Sequence, residues 1–378
     1  MKRSFYWIVA AGTLLTACCY GFARFAYGLF TPVLSGAFAL TPAAIGLIGS
    51  GSYVGYCVAV IASTVLTERI GARRVAVGAG LVATAGMSMV AAAPSTALLA
   101  TGVLIAGSST GLASPPLAAA VARWVRAEVR DRAQTVVNAG TGVGVVMSAP
   151  IALMLFGQWR LAWAVMAAIT AAVTVMVAWV IPAPTETPGR SLPHVASRPG
   201  TVGLVAASVL TGFGSAAVWT FGRELADGLG ETTSVVAWTL LGGAGIAGAF
   251  GGDLVTRIGL APAWRITSLA MAGATLIYGL CADVAIAVLL AAAAFGAAYI
   301  TATGLVLVWA TRVFADSVSF GVALSFFGIA AGQALGAPAV GVLAEAVGLA
   351  TAFVIAAAAG VTAMALRPAR NPEAERAR

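Results

Sequence analysis

Few residues in this chain have types able to do chemistry, and their surroundings limit what that chemistry is. Gly107-Ser108-Ser109-Thr110-Gly111 has the GxSxG spacing that in a hydrolase lifts a serine nucleophile onto a strand-to-helix elbow. Such a serine needs a histidine beside it, and the single histidine, His194, lies in a Pro-rich polar stretch elsewhere in the chain. Gly243, Gly245 and Gly248 spell GxGxxG, a dinucleotide fingerprint only within a strand-turn-helix unit, whereas both flanks here are apolar. Cys18, Cys19, Cys57 and Cys281 sit in apolar runs with no CxxC pair, and read as small buried hydrophobes rather than metal or redox ligands. No enzyme activity, metal or cofactor is therefore expected. Leu15-Thr16-Ala17-Cys18 after Lys2-Arg3 has the form of a lipoprotein signal, but apolar sequence runs on well past Cys18, so a structural helix is expected there.

Arg24 is the exception. It is the one charge between the uncharged runs 4–23 and 25–67. Placing an arginine in the middle of a membrane helix costs about 2.5–3.5 kcal/mol on translocon scales, and such charges usually face a polar cavity or a partner. A guanidinium stays protonated at neutral pH and matches a carboxylate with two parallel hydrogen bonds. No Asp or Glu falls at the centre of an apolar run to neutralise it, so an incoming anion, such as a carboxylate, is the expected counter-ion. Snorkelling to the interface, or pairing with an outer-end acid such as Glu224, is the competing reading.

The elements that position Arg24 follow from composition. Of 378 residues, 60% are hydrophobic and 9% charged, with a mean hydropathy of +0.98. A water-soluble surface normally needs roughly a quarter of residues charged, so lipid must be the main solvent. With about 20 residues per crossing, the apolar runs divide into spans near 5–31, 43–66, 75–92, 97–121, 134–157, 160–181, 202–226, 232–255, 264–281, 285–310, 317–342 and 347–366. Pro32 to Pro42 and Ala93-Pro94 are expected to break the two longest runs. Backbone groups in hydrocarbon must bond within their own segment, and no alternating barrel pattern is present, so an all-α polytopic membrane protein of twelve helices is expected.

Charge placement orients the bundle. Placing both termini inside collects Lys2, Arg3, Arg69, Arg73, Arg74, Arg123, Arg126, Arg130, Arg132, Arg190, Arg198, Arg257, Arg265, Arg312 and the tail arginines on the cytoplasmic side, and leaves only Arg160 and Arg223 outside. The net charge of +8 thus needs no nucleic-acid partner. The expectation is a multi-pass protein of a bacterial cytoplasmic (inner) membrane with both termini cytoplasmic.

Residues 182–200 are rich in Pro and polar residues and read as a cytoplasmic linker. Gly140, Gly144, Ala149 and Pro150 recur 188 positions later as Gly328, Gly332, Ala337 and Pro338, and Arg69-Ile70-Gly71 recurs as Arg257-Ile258-Gly259. Gly21-Phe22 and Phe30 reappear 191 positions later as Gly212-Phe213 and Phe221. The expected organisation is a first six-helix bundle over 1–181, the linker, a second bundle over 201–366 and a tail over 367–378.

Two parallel six-helix repeats around a central cavity, with the Glu68-Arg69-Ile70-Gly71-Ala72-Arg73-Arg74 loop and the Gly- and Pro-rich fifth span, resemble the major facilitator superfamily. Gly21-Phe22-Ala23-Arg24-Phe25-Ala26-Tyr27 resembles the Gly-x-Gly-Arg-Phe segment of its YbfB-like branch, with Ala23 in place of the second glycine. The chain departs from the superfamily in having no charge in 97–121, so coupling schemes built on a fourth-helix arginine do not transfer. In the second loop copy Thr256 replaces the acid.

The resemblance implies a secondary transporter working by alternating access, a symporter or antiporter, with a small-molecule substrate, a coupling proton as a candidate partner, a bilayer environment and a monomeric state. An exporter of hydrophobic or neutral compounds and a non-transporting membrane receptor of the same fold are the alternatives. The expected substrate-binding residues are Arg24, Tyr27, Tyr53, Tyr56, Ser108, Ser109, Trp219, Tyr299, Thr301 and Gln333. The expected cytoplasmic gate comprises Glu68, Arg69, Arg73, Arg74, Arg123 and Asn138, an acid among guanidiniums able to form charge-assisted bonds when that side closes.

Overall fold

The computed structural model describes residues 2–155, 157–183, 198–247, 251–314 and 318–366. Those residues form helices and turns, with no strand among them. Helix α1 (Lys2–Phe38) is followed by α2 (Pro42–Ile70), α3 (Ala72–Ala91), α4 (Thr96–Trp124), α5 (Arg130–Met154) and α6 (Trp159–Val180). The second series is α7 (Thr201–Leu225), α8 (Glu231–Ala247), α9 (Leu260–Leu280), α10 (Ala285–Val313), α11 (Val318–Val347) and α12 (Leu349–Ala365). A further helix, Gly251–Ile258, lies between α8 and α9 and covers the end of the span expected over 232–255. Ten of the described helices are long and apolar enough to cross a bilayer, and α12 is a shorter apolar one. The linker expected over 182–200 lies mostly outside the described residues, as does the tail.

The repeat is visible in backbone geometry. Gly71, which closes α2, has φ 87° and ψ 154°, and its counterpart Gly259, before α9, has φ 85° and ψ 163°. Both need the positive φ that glycine adopts without steric cost. The recurring glycines make equivalent contacts: a side chain on Gly21 or Gly144 would drive α1 into α5, and one on Gly212 or Gly332 would drive α7 into α11. In lipid, apolar side chains gain little from meeting each other, so close backbone approach supplies the packing energy.

Pro32 does not end the first helix as expected from sequence. The helix continues to Phe38 and stops at Ala39, in the left-handed region with φ 48°, before Thr41 caps α2 through the Ala44 amide and Pro42 opens it. The reason is local. A proline cannot donate to the carbonyl four residues back, here that of Gly28, and the Thr31 hydroxyl donates to that carbonyl instead at 3.0 Å. Pro116 and Pro338 are accommodated likewise: Ser63 of α2 donates to Leu112 O at 3.0 Å, and Ser50 of α2 donates to Ala334 O at 2.7 Å. The carbonyls freed by Pro32, Pro116 and Pro338 are thus each given a side-chain donor.

Candidate functional site

The middle of α1 is a π-helix over Ala17–Phe25, closed by the Ala26 amide donating five residues back to Gly21 O. Such widened segments are rare and often mark functional positions. Arg24 lies in it and is 6% exposed. Its Nη2 donates to Gln333 Oε1 of α11 at 2.6 Å. Gln333, itself fully buried, donates through Nε2 to Ser215 Oγ of α7 and to the Tyr299 hydroxyl of α10, both at 3.3 Å. A residue of the first six helices is therefore tied to three of the last six at the plane between them.

The guanidinium carbon also lies 4.8 Å from the ring centres of Tyr53 and of Tyr56, 5.2 Å from that of Phe25 and 5.8 Å from that of Tyr20. Ring quadrupoles attract the cation and, with the Gln333 hydrogen bond, offset part of its missing water. Trp219 of α7 stacks on Phe25 with centroids 3.9 Å apart and meets Tyr299 edge-on at 5.4 Å. Arg24 forms no ion pair with any described residue. The Nε–H of Arg24, the indole N–H of Trp219 and the hydroxyl of Tyr56 are buried without a hydrogen-bond partner. A buried donor left unpaired costs about 1–3 kcal/mol, so the site holds binding capacity that the protein itself does not use.

Of the residues expected to bind substrate, the fold brings together Arg24, Tyr53, Tyr56, Trp219, Tyr299 and Gln333. It does not bring in the others. The Tyr27 hydroxyl donates to Ile45 O at 3.0 Å, inside the α1–α2 contact. Ser108 and Ser109 donate to the carbonyls of Ile105 and Ala106 on their own helix at 2.7 and 2.6 Å. Gly107 of the same motif packs on Ser52 of α2, so the GxSxG spacing serves helix packing. Thr301 is half-buried two residues beyond Tyr299, outside the network.

Tyr20, Phe25 and Ser215 were not among the expected residues. The repeat contains a signal for Ser215, since the 191-residue shift that carries Gly21 onto Gly212 carries Arg24 onto Ser215. Glu224, expected at the outer end, does not pair with Arg24. Arg223 beside it, 5% exposed, instead bonds Asp227 at 2.8 Å and Glu231 at 2.7 Å, joining α7 to the start of α8.

Contacts between the two series of helices crowd the end opposite the linker. There Gly28 of α1 abuts the Trp219 carbonyl, Gly46 abuts the Ala337 carbonyl and Gly341 abuts Pro42. Glu345 Oε1 accepts from the Ala43 amide at 3.0 Å, placing a carboxylate at the N-terminus of α2. At the linker end, Glu68 and Arg73 are half-buried, while Arg69, Arg74, Arg123 and Asn138 are exposed. Glu68, Arg69, Arg73 and Arg74 form no ion pair with a described residue, and Arg123 lies over the Trp124 ring at 5.5 Å.

A family model for the Major Facilitator Superfamily matches residues 13–318. The chain belongs to that superfamily. Its fold matches a variant of the nucleoside transporter NupG with a TM-score of 0.74 at 12% identity, covering 96% of this chain and 98% of that one. It also matches a bacterial homolog of the human lysosomal transporter Spinster, inward-facing and unoccupied, with a TM-score of 0.74 at 16% identity over 97% and 96% of the two chains. The occupied form of that homolog gives a TM-score of 0.73 at 15% identity over 96% and 95%. No curated protein sequence matches significantly. This superfamily member is thus a multi-pass membrane protein of a transporter family, with a small-molecule substrate and the bilayer as its partners.

Proposed function

We propose that this superfamily member is a secondary transporter of a small organic anion, a carboxylate held by Arg24, that works by rocking residues 1–181 against residues 201–366. One observation carries the reading: a buried guanidinium stands between the two series of helices with a neutral amide oxygen where a carboxylate would fit. A substrate carboxylate displaces Gln333 from Arg24, removes an unpaired charge, and does so at the contact that links the two halves. Binding and the change of access are thereby joined at one hydrogen bond.

The same reading places the termini and linker in the cytoplasm of a bacterial inner-membrane protein, so that the closed end seen here is the outer one. On this proposal Glu68, Arg69, Arg73, Arg74, Arg123 and Asn138 form the gate of the opposite state. That Glu68 has no ion-pair partner among the described residues supports a role in the other state. The Gly21 to Tyr27 segment supports placement in the YbfB-like branch. A single chain, with a proton as coupling ion, is the proposed working unit.

Uptake and counterflow of a carboxylate panel in proteoliposomes tests the proposal. Arg24→Lys keeps the charge but loses the fork, and Arg24→Gln loses both, so transport should weaken in that order with normal insertion. Wild-type affinity and rate in both variants would make Arg24 structural.

A further inference from the structure

We infer that the anion is a planar aromatic monocarboxylate of the benzoate type, its carboxylate on Arg24 and its ring among the tyrosines and Trp219. This rests on the proposed anion site and narrows it.

Charge balance sets the valence. Arg24 and Arg223 are the only charged residues with buried side chains among the described ones, and Arg223 already holds two carboxylates. A dicarboxylate would therefore carry its second charge into the bundle with no further buried cation among the described residues to meet it, and would bear the desolvation cost of an unpaired charge. A monoanion leaves the site neutral.

The walls set the shape. The guanidinium is surrounded by Tyr20, Phe25, Tyr53 and Tyr56, and Trp219 and Tyr299 continue the aromatic lining toward the last six helices. A carboxylate forked on arginine lies in the guanidinium plane. An aryl ring conjugated to that carboxylate is flat as well and extends it among these aromatic side chains. A puckered aliphatic body of equal size is not flat. Aromatic pairs favour offset and edge-on contacts beyond their buried area, and the rings here offer both.

The unused donors set the polar pattern. The Nε–H of Arg24 and the indole N–H of Trp219 have no partner, whereas Ser215 and Tyr299 are engaged by Gln333. The Tyr56 hydroxyl is unpartnered too, and the set suits a solute with one charged group and few further acceptors. A polyhydroxylated acid would find too few partners.

Binding of benzoate, cyclohexanecarboxylate, phthalate and benzamide to the purified full-length protein in nanodiscs, followed by calorimetry, tests this. Benzoate should bind about ten-fold more tightly than cyclohexanecarboxylate, a difference the size of one good aromatic contact. Phthalate should be weaker than benzoate, and benzamide should not compete. Trp219→Leu should abolish the preference for benzoate over cyclohexanecarboxylate while leaving the latter bound; Trp219→Phe, which keeps a ring, should restore the preference and guards against misfolding in the leucine variant. Equal binding of benzoate and cyclohexanecarboxylate overturns the aromatic assignment and leaves the anion site standing. Phthalate binding as tightly as benzoate overturns the monoanion assignment. Benzamide binding as tightly as benzoate overturns the anion site itself, and with no binding of any of the four, both inferences fall.

Discussion

Arg24 and Gln333 stand 309 positions apart in the chain and meet in a single hydrogen bond of 2.6 Å. One end of that bond is a fixed positive charge and the other a neutral oxygen, so the contact is strong enough to hold the halves in register and weaker than the ion pair a substrate offers.

Gln333→Glu makes the oxygen anionic and should convert the contact into a buried ion pair. Thermal stability should hold or rise, while affinity for a carboxylate probe should fall by about ten-fold or more, since the probe would compete with a tethered carboxylate. Thermal-shift and binding measurements on one preparation read both. Gln333→Leu should instead leave Arg24 bare and lower stability by about 1–3 kcal/mol.

Ser50→Ala removes the donor that satisfies the Ala334 carbonyl released by Pro338. It should disfavour the state described here by about 1 kcal/mol, roughly a five-fold change in the access equilibrium. The shift should appear as faster labelling by a membrane-impermeant maleimide of a cysteine placed at Thr220, which is 2% exposed here, in a background lacking the four native cysteines. Unchanged labelling would show that Ser50 does not help to close this end.

A larger side chain at Gly46 meets the Ala337 backbone, which cannot move aside as a side chain would. Gly46→Val should therefore insert normally, label freely at position 220 and lose counterflow. Retained counterflow would mean that α2 and α11 need not meet during the cycle.

Glu68→Gln should favour the state described here, because Glu68 has no ion pair with a described residue to lose in it and gives up the attraction proposed to close the linker end. The expected result is increased labelling of a cysteine at Asn138, read with the thiol reagent on the linker side. Equal labelling of wild type and variant on both sides of the membrane counts against the gate.

The parts of this architecture that were legible in sequence are those governed by composition or by one residue's type. A lone arginine in an apolar run, a glycine pair recurring at fixed spacing and Arg69-Ile70-Gly71 recurring as Arg257-Ile258-Gly259 each point to one physical requirement. Tyr27, Ser108 and Ser109 were less legible, because a hydroxyl in a helix can turn to its own or a neighbouring backbone carbonyl, and spacing does not say which. Pro32 misled for a related reason: the Thr31 hydroxyl that repairs the ladder looks like any other polar residue. Ser215 became meaningful only beside Gln333, a long-range contact visible solely through the repeat.

The end opposite the linker is sealed largely by backbone against backbone, Gly28 on the Trp219 carbonyl and Gly46 on that of Ala337. Side chains can adjust rotamers to follow a small displacement, but main-chain surfaces in contact have no such slack, and packed interfaces of this kind tend to be bistable. The seal should accordingly act as a latch with two positions. Spin-label distances across it would form two separate populations whose proportions change with ligand, rather than one broad peak that drifts.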